Sequence, residues 1–226
     1  MRFVYIILSV FLAFSPVIAQ EPLQPAEPHQ QSSSVSATPA GNSTLPAYPD
    51  PVTEARIKSM QPFFEAVINC IYGMEGDWNG QYSSKDSKFM WDVLFYLTTS
   101  YTSDLAEVSQ ADGAFLIPKK TMQDFATVLF ADYSDLPPLP ADMEIITYEK
   151  AQDLYKVGMS DVGGVVFNMA DISPMPAGKY RVKIVLLDDE EVEVFGTYFI
   201  TLTPNLQAGS VKDDRYSFSI ENVTAQ

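Results

Sequence analysis

YRVKIVLLDDEEVEVFGTYFI, residues Tyr180 to Ile200, holds two runs in which apolar and polar side chains alternate. Tyr180, Val182, Ile184 and Leu186 share one side of the first run; Val192, Val194, Tyr198 and Ile200 share one side of the second. Successive side chains of a strand point to opposite faces, so each run reads as a strand with one buried face. The acidic Asp188 to Glu191 between them reads as the turn. Residues paired across an antiparallel hairpin lie on the same face, so joining two even-numbered apolar faces requires paired numbers with an even sum. The connection is then expected to contain an odd number of residues, three or five, unless a bulge resets the register.

Toward the C-terminus, Tyr216, Phe218 and Ile220 alternate with Arg215, Ser217, Ser219 and Glu221, which predicts a further half-buried strand. Weaker strand signals run through Ile145 to Thr147, Leu154 to Val157 and Val165 to Met169, and the AFLI run at Ala114 to Ile117 predicts a short strand.

Toward the N-terminus the period changes. Ile57, Met60, Phe64, Val67, Ile68 and Ile71 fall at i, i+3, i+7, i+10, i+11 and i+14, one stripe of a helix. Asp50-Pro51 or Thr53 can open it, and Pro62 inside it must kink or restart the helix. Phe89, Met90, Val93, Leu94, Leu97 and Tyr101 form a second stripe, with capping candidates at Ser84 to Ser87. Thr121-x-x-Asp124 resembles a capping box for a third helix carrying Met122, Phe125, Leu129 and Phe130. The expected fold is α+β: about three N-terminal helices packed on one face of a C-terminal antiparallel sheet, a meander of four to six strands, in a single domain over residues 53–226.

Ahead of that domain stand two segments of different character. Met1-Arg2 precedes the apolar run Phe3 to Phe14, Pro16 breaks it, and Val17-Ile18-Ala19 offers a cleavage site, so residues 1–19 read as a signal peptide. The run is too short for a spanning helix, which needs roughly 20 apolar residues. Residues 20–52 hold seven of the chain's 16 prolines with many Ser and Gln, the composition of a mobile linker. The triplets Asn42-Ser43-Thr44 and Asn222-Val223-Thr224 fit the glycosylation pattern, which matters in a eukaryotic secretory route. The expected location is therefore export, to a periplasm or outside the cell, with no membrane span after signal cleavage.

The inventory of reactive groups narrows function further. A formal net charge of −15 without a Lys/Arg cluster argues against nucleic acid, whose phosphates demand concentrated positive charge. The one histidine, His29, lies in the linker, so Ser-His-Asp, Cys-His and histidine-relay chemistry lack a positioned imidazole. One Cys and one His cannot furnish a zinc, haem or iron–sulfur ligand set, and no cofactor is expected. Cys70 falls in the first helical stripe and, lacking an internal disulfide partner, is expected to be a buried inert thiol. Gly163-Gly164 reads as a turn or bulge, and the Asp188 to Glu193 acidic run as a solvated hairpin tip. Paired carboxylates remain available for glycoside hydrolysis.

Trp78 and Tyr82 stand in the glycine- and polar-rich segment Gly73 to Tyr82. Aromatic rings on loops stack on sugars or anchor proteins, which makes these two the candidate partner-binding residues; the plainer expectation is that both fold back on the helices. Trp91 and Tyr96 read as core or core-edge. The functional expectation is an exported non-catalytic domain binding a protein or glycan in the cell envelope or outside the cell. A carboxylate-dependent polysaccharide hydrolase and a carrier of a small apolar ligand are the alternatives.

Overall fold

Asp50 opens the first helix, α1 (Pro51–Ser59): its Oδ1 accepts from the amides of Val52 and Thr53 at 3.0 and 3.1 Å, satisfying donors that the first helical turn leaves free. The computed structural model describes residues 48–74, 76–102, 107–160, 165–188, 190, 192–207 and 213–226. The signal segment, His29, the Asn42 triplet and Gly163-Gly164 lie outside the described residues, as does the linker up to residue 47.

Proline cannot donate to the preceding turn, and Pro62 accordingly restarts the helix rather than kinking it. Met60 separates α1 from α2 (Gln61–Gly73), with Pro62 in the first turn of α2. The stripe survives this break, since Ile57, Met60, Phe64, Val67, Ile68 and Ile71 are all buried. The third helix, α3 (Ser87–Tyr101), is capped by Asp86, whose Oδ1 accepts from the Phe89 amide at 3.0 Å. The fourth, α4 (Lys119–Leu129), starts two residues before the expected capping box. Its first amide, Lys119 N, donates to the Asp153 carbonyl at 3.0 Å, so a neighbouring strand end takes the role expected of Thr121. Asp124 instead pairs with Lys120 one turn earlier.

The α+β class holds, with four α-helices and two antiparallel sheets of four strands among the described residues. The smaller sheet joins β1 (Ser109–Ala111), β2 (Ala114–Pro118), β3 (Ile146–Glu149) and β4 (Leu154–Gly158) in the order β1-β2-β4-β3. Its first hairpin turns on Asp112-Gly113, both at positive φ (52° and 72°), the conformation that two-residue hairpin loops demand. The larger sheet is the meander: β5 (Val166–Pro174), β6 (Tyr180–Leu187), β7 (Val194–Pro204) and β8 (Phe218–Ala225) in sequence order. Strand pairing thus divides between two sheets where one was expected, because β2 finds its long partner in β4 and not in the meander.

The central hairpin pairs Tyr180 with Leu202 through Leu186 with Gly196, numbers of even sum. The register then shifts, and Leu187 pairs with Val194, leaving Phe195 as an extra residue. The connection is residues 188–193, six rather than three or five, the case in which a bulge resets the count. Its tip is tied by Asp188, whose Oδ1 accepts from the amides of Val192 and Glu193 at 2.7 and 2.9 Å. Beyond the bulge the face reverses, so Val192 and Val194, expected inside, are 79% and 58% exposed. Tyr216 likewise leaves its expected strand and sits in a short 3-10 turn, Asp214–Tyr216, although its ring stays buried. Further register shifts isolate Ala170 and Glu221, so each of the three strand pairs in the meander carries one bulge. Such bulges bend strands and increase their twist.

The inward faces of the meander, Val182, Ile184, Leu186, Ile200, Leu202, Ile220 and Val223, join the helical stripes in one core. Phe63 packs edge-on to both Phe125 and Tyr216, and Ser219 Oγ donates to the Thr127 carbonyl at 2.5 Å, fastening β8 to α4. Trp91 of α3 packs on Tyr155 of β4, which carries the smaller sheet into the same core.

Candidate functional site

Three segments frame a cleft of about 900 Å³: the end of α2 with the loop that follows it, the outer face of α3, and residues 142–145. Each is held by identifiable bonds. Lys88, Asp92 and Tyr96 are spaced by four residues, which on a helix places them on one face, opposite Met90, Val93 and Leu97 in the core. The run Leu136 to Pro140 is rich in proline, which supplies carbonyls but no N–H donors. Trp91 Nε1 donates to the Pro137 carbonyl at 3.1 Å and Ser87 Oγ to the Pro138 carbonyl at 3.2 Å, strapping that run across α3. Met143 N then donates to the Pro140 carbonyl at 3.1 Å, and Gly158 N to the Ile145 carbonyl at 2.9 Å, fixing residues 142–145 as one wall.

The opposite wall is the loop from Met74 to Asp86. Gly76 and Gly80 turn it at positive φ, 96° and 77°. Asp132, just past α4, anchors its far end: Oδ2 accepts from Ser83 Oγ at 2.6 Å and Oδ1 from Ser84 N at 3.0 Å. Burial opposes ionisation of Asp132, but these hydrogen bonds outweigh it and hold the carboxyl below its ordinary range.

The two residues expected to bind a partner part company here. Trp78 lines the cleft, half-buried, with its indole N–H buried and unpartnered among the described residues. Tyr82 does not line it. Its ring stacks on Phe130 with centroids 5.1 Å apart, meets Phe89 edge-on, and its hydroxyl donates to the Leu129 carbonyl, the arrangement of a ring folded back on the helices. Burial pushes its phenol well above the ordinary value. Sequence reasoning passed over Asp142, Met143 and Glu144 and read Ile145 only as the start of a strand; together they form a wall that follows a proline-rich strap without periodicity. Asp92 was detectable as the one carboxylate inside the apolar run Phe89 to Leu97.

The cleft is acidic with an apolar floor. Asp77, Asp86, Asp92, Asp142 and Glu144 border it against a single cation, Lys88, whose Nζ lies 3.0 Å from Asp92 Oδ2. Trp78, Phe89, Phe95, Tyr96, Met74 and Met143 supply the apolar part. Burial raises the Asp92 carboxyl above its ordinary range; the bond from Lys88 opposes this, while Asp142 and Asp86 add to it. Burial also pushes the Cys70 thiol far up, with Asp92 acting in the same direction, so the cleft's one sulfhydryl is not a nucleophile at neutral pH. No group of three His, Cys, Asp or Glu side chains able to hold a metal gathers among the described residues.

A carboxyl with a raised folded-state pKa binds its proton more readily folded than unfolded, so its ionised form destabilises the fold above that pKa, and the penalty vanishes below about 3.9. Asp92→Asn is therefore expected to be more stable than wild type at neutral pH, by up to roughly 1 kcal/mol after losing the bond from Lys88, whose own side chain is largely exposed. The gap is expected to close as pH falls. Urea midpoints of both proteins at neutral and acid pH check this; a variant less stable at neutral pH contradicts the assignment.

Comparison of the chain with protein-family models, curated proteins and solved structures finds no match. Among the described residues no helix is long and apolar enough to cross a membrane.

Proposed function

We propose that this chain is an exported, non-catalytic binding domain that receives a protein or glycan partner in the cleft, in the cell envelope or outside the cell. The observation that carries this reading is the cleft itself, with aromatic and thioether side chains beside hydrogen-bonding carboxylates. Ligand sites combine an apolar lining with a few polar groups in this way. A protonated thiol and a lysine engaged with Asp92 leave no activated thiol or amine among the described residues of its walls. Export rests on the leading apolar run and the cleavage pattern at Ala19.

The test uses the immobilised full chain, an envelope extract and a panel of oligosaccharides. Asp142 and Glu144 are both exposed, so Asp142→Lys/Glu144→Lys changes the cleft without disturbing the core. A defined protein or glycan retained by wild type and reduced about tenfold by the variant is expected. Equal retention by both proteins, or none by either, counts against the proposal.

One observation favours a second reading. A carboxyl with raised pKa facing other carboxylates is the arrangement a glycosidase uses for its general acid. On that reading Asp92→Asn abolishes release of reducing ends from polysaccharide, whereas a binding domain releases none in either form.

A further inference from the structure

At the end of α2 an apolar patch adjoins the cleft. The Tyr72 ring, 42% exposed, stacks on Phe195, 39% exposed, with centroids 5.9 Å apart and planes inclined by 18°. Val192 and Val194, turned outward by the bulge, are also exposed. Gly73, the next residue after Tyr72, already lines the cleft. Isolated exposed apolar side chains are ordinary, but a grouped set marks an interaction surface. Carboxylates stand on both sides: Asp188, Glu190 and Glu193 at the hairpin, Asp77, Asp142 and Glu144 around the cleft. None of these six takes part in an ion pair among the described residues.

We infer that the Tyr72–Phe195 patch and the adjoining cleft form one docking surface for a basic, apolar-bearing segment of a partner protein. This rests on the binding reading above and names the partner's chemistry. Leucine-like or aromatic side chains of the segment cover the stacked rings and the two valines, while Lys or Arg side chains meet the unpaired carboxylates and the aromatic wall of the cleft. A neutral glycan leaves Val192 and Val194 uncovered. A second copy of this chain, with net charge −15, brings carboxylates against carboxylates. An anionic lipid surface is repelled for the same reason.

The experiment measures fluorescence anisotropy of a labelled twelve-residue peptide alternating lysine with leucine, titrated with the full chain at physiological salt. Peptides with glutamate for lysine and serine for leucine serve as comparisons. Three double variants are used: Asp142→Lys/Glu144→Lys in the cleft, Val192→Ser/Val194→Ser at the patch, and Glu107→Lys/Glu149→Lys, with an equal charge change at exposed positions that do not line the cleft. The lysine–leucine peptide is expected to bind wild type, about tenfold weaker to each of the first two variants, and within about twofold to the third. Both comparison peptides are expected to bind at least about tenfold more weakly. Equal weakening in all three variants, or equal binding of the lysine–serine peptide, reduces the effect to bulk charge and overturns the inference. So does self-association in sedimentation that Val192→Ser/Val194→Ser relieves. If a glycan sensitive to Asp142→Lys/Glu144→Lys is retained but the peptide is not, the inference falls and the binding function stands. If no ligand of either kind responds to that variant, both fall.

Discussion

Trp91→Ala is expected to lower the stability of the fold by about 3–5 kcal/mol, the range for removing a fully buried large aromatic side chain. In a domain of this size each kcal/mol moves the melting temperature by roughly 2–4 °C, so a drop of the order of 10 °C follows. The side chain has no exposed surface and packs on Tyr155 with ring centroids 5.1 Å apart, joining α3 to the smaller sheet. It is also the donor to the Pro137 carbonyl, and truncation leaves that carbonyl short of a partner in a run that has few N–H groups to offer. Trp91→Phe separates the two contributions. It keeps most of the ring volume and removes the donor, so a cost of about 1–2 kcal/mol is expected, with loosening confined to the strap and the wall it holds. Urea unfolding gives the first quantity, and amide exchange at Met143, whose N–H donates to Pro140, gives the second. A loss below about 1 kcal/mol for Trp91→Ala contradicts the packing described.

Why some of this was legible and some was not follows from the range of the forces. The stripe from Ile57 to Ile71, the opening at Asp50-Pro51 and the restart at Pro62 are set within a turn or two of chain, and each stands where periodicity and proline sterics place it. Short strands at Ala114 and Leu154, and the first half of the strand at Val166, were legible for the same reason. Partner choice is not local: Leu116 finds Lys156, forty positions further along the chain, and alternation within either strand says nothing about which sheet receives it. Val192 and Val194 continue the apolar alternation so faithfully that only the extra residue, Phe195, removes them from the core. A bulge leaves no mark in a two-residue period until the partner strand is known. Site residues divide along the same line. Trp78, a ring in a glycine-rich loop, lines the cleft; Tyr82, four residues on, folds back as the plainer expectation had it, claimed by Phe89 and Phe130, which only folding brings together. The wall at 142–145 depends on Trp91 and Ser87 finding proline carbonyls, a match between segments that no single stretch of sequence records.

Cys70 is expected to react with iodoacetamide at least about 10³-fold more slowly in the native protein than in denaturant, since a group this buried is reached only through opening reactions whose cost approaches the global stability. Two effects act together. The residue is 2% exposed, so reagent cannot approach the sulfur, and burial, with Asp92 second, raises the thiol far above its ordinary value, so almost no thiolate forms at pH 8. Position makes the measurement more than a packing test, because Cys70 stands in the lining of the cleft beside Phe89 and Asp92. If the cleft floor opens readily, alkylation at pH 8 approaches the denatured rate while the circular dichroism spectrum stays native, and the walls described above are then not the resting state. If the floor is closed, the native rate instead tracks denaturant concentration along the same slope as global unfolding. Asp92→Asn sharpens the distinction: with the neighbouring charge gone the thiol pKa falls somewhat, so a sulfur that reagent can reach reacts faster. A sulfur shielded by the fold reacts more slowly still, because the variant is expected to be the more stable protein at that pH. The direction of that one change therefore separates a closed floor from an open one.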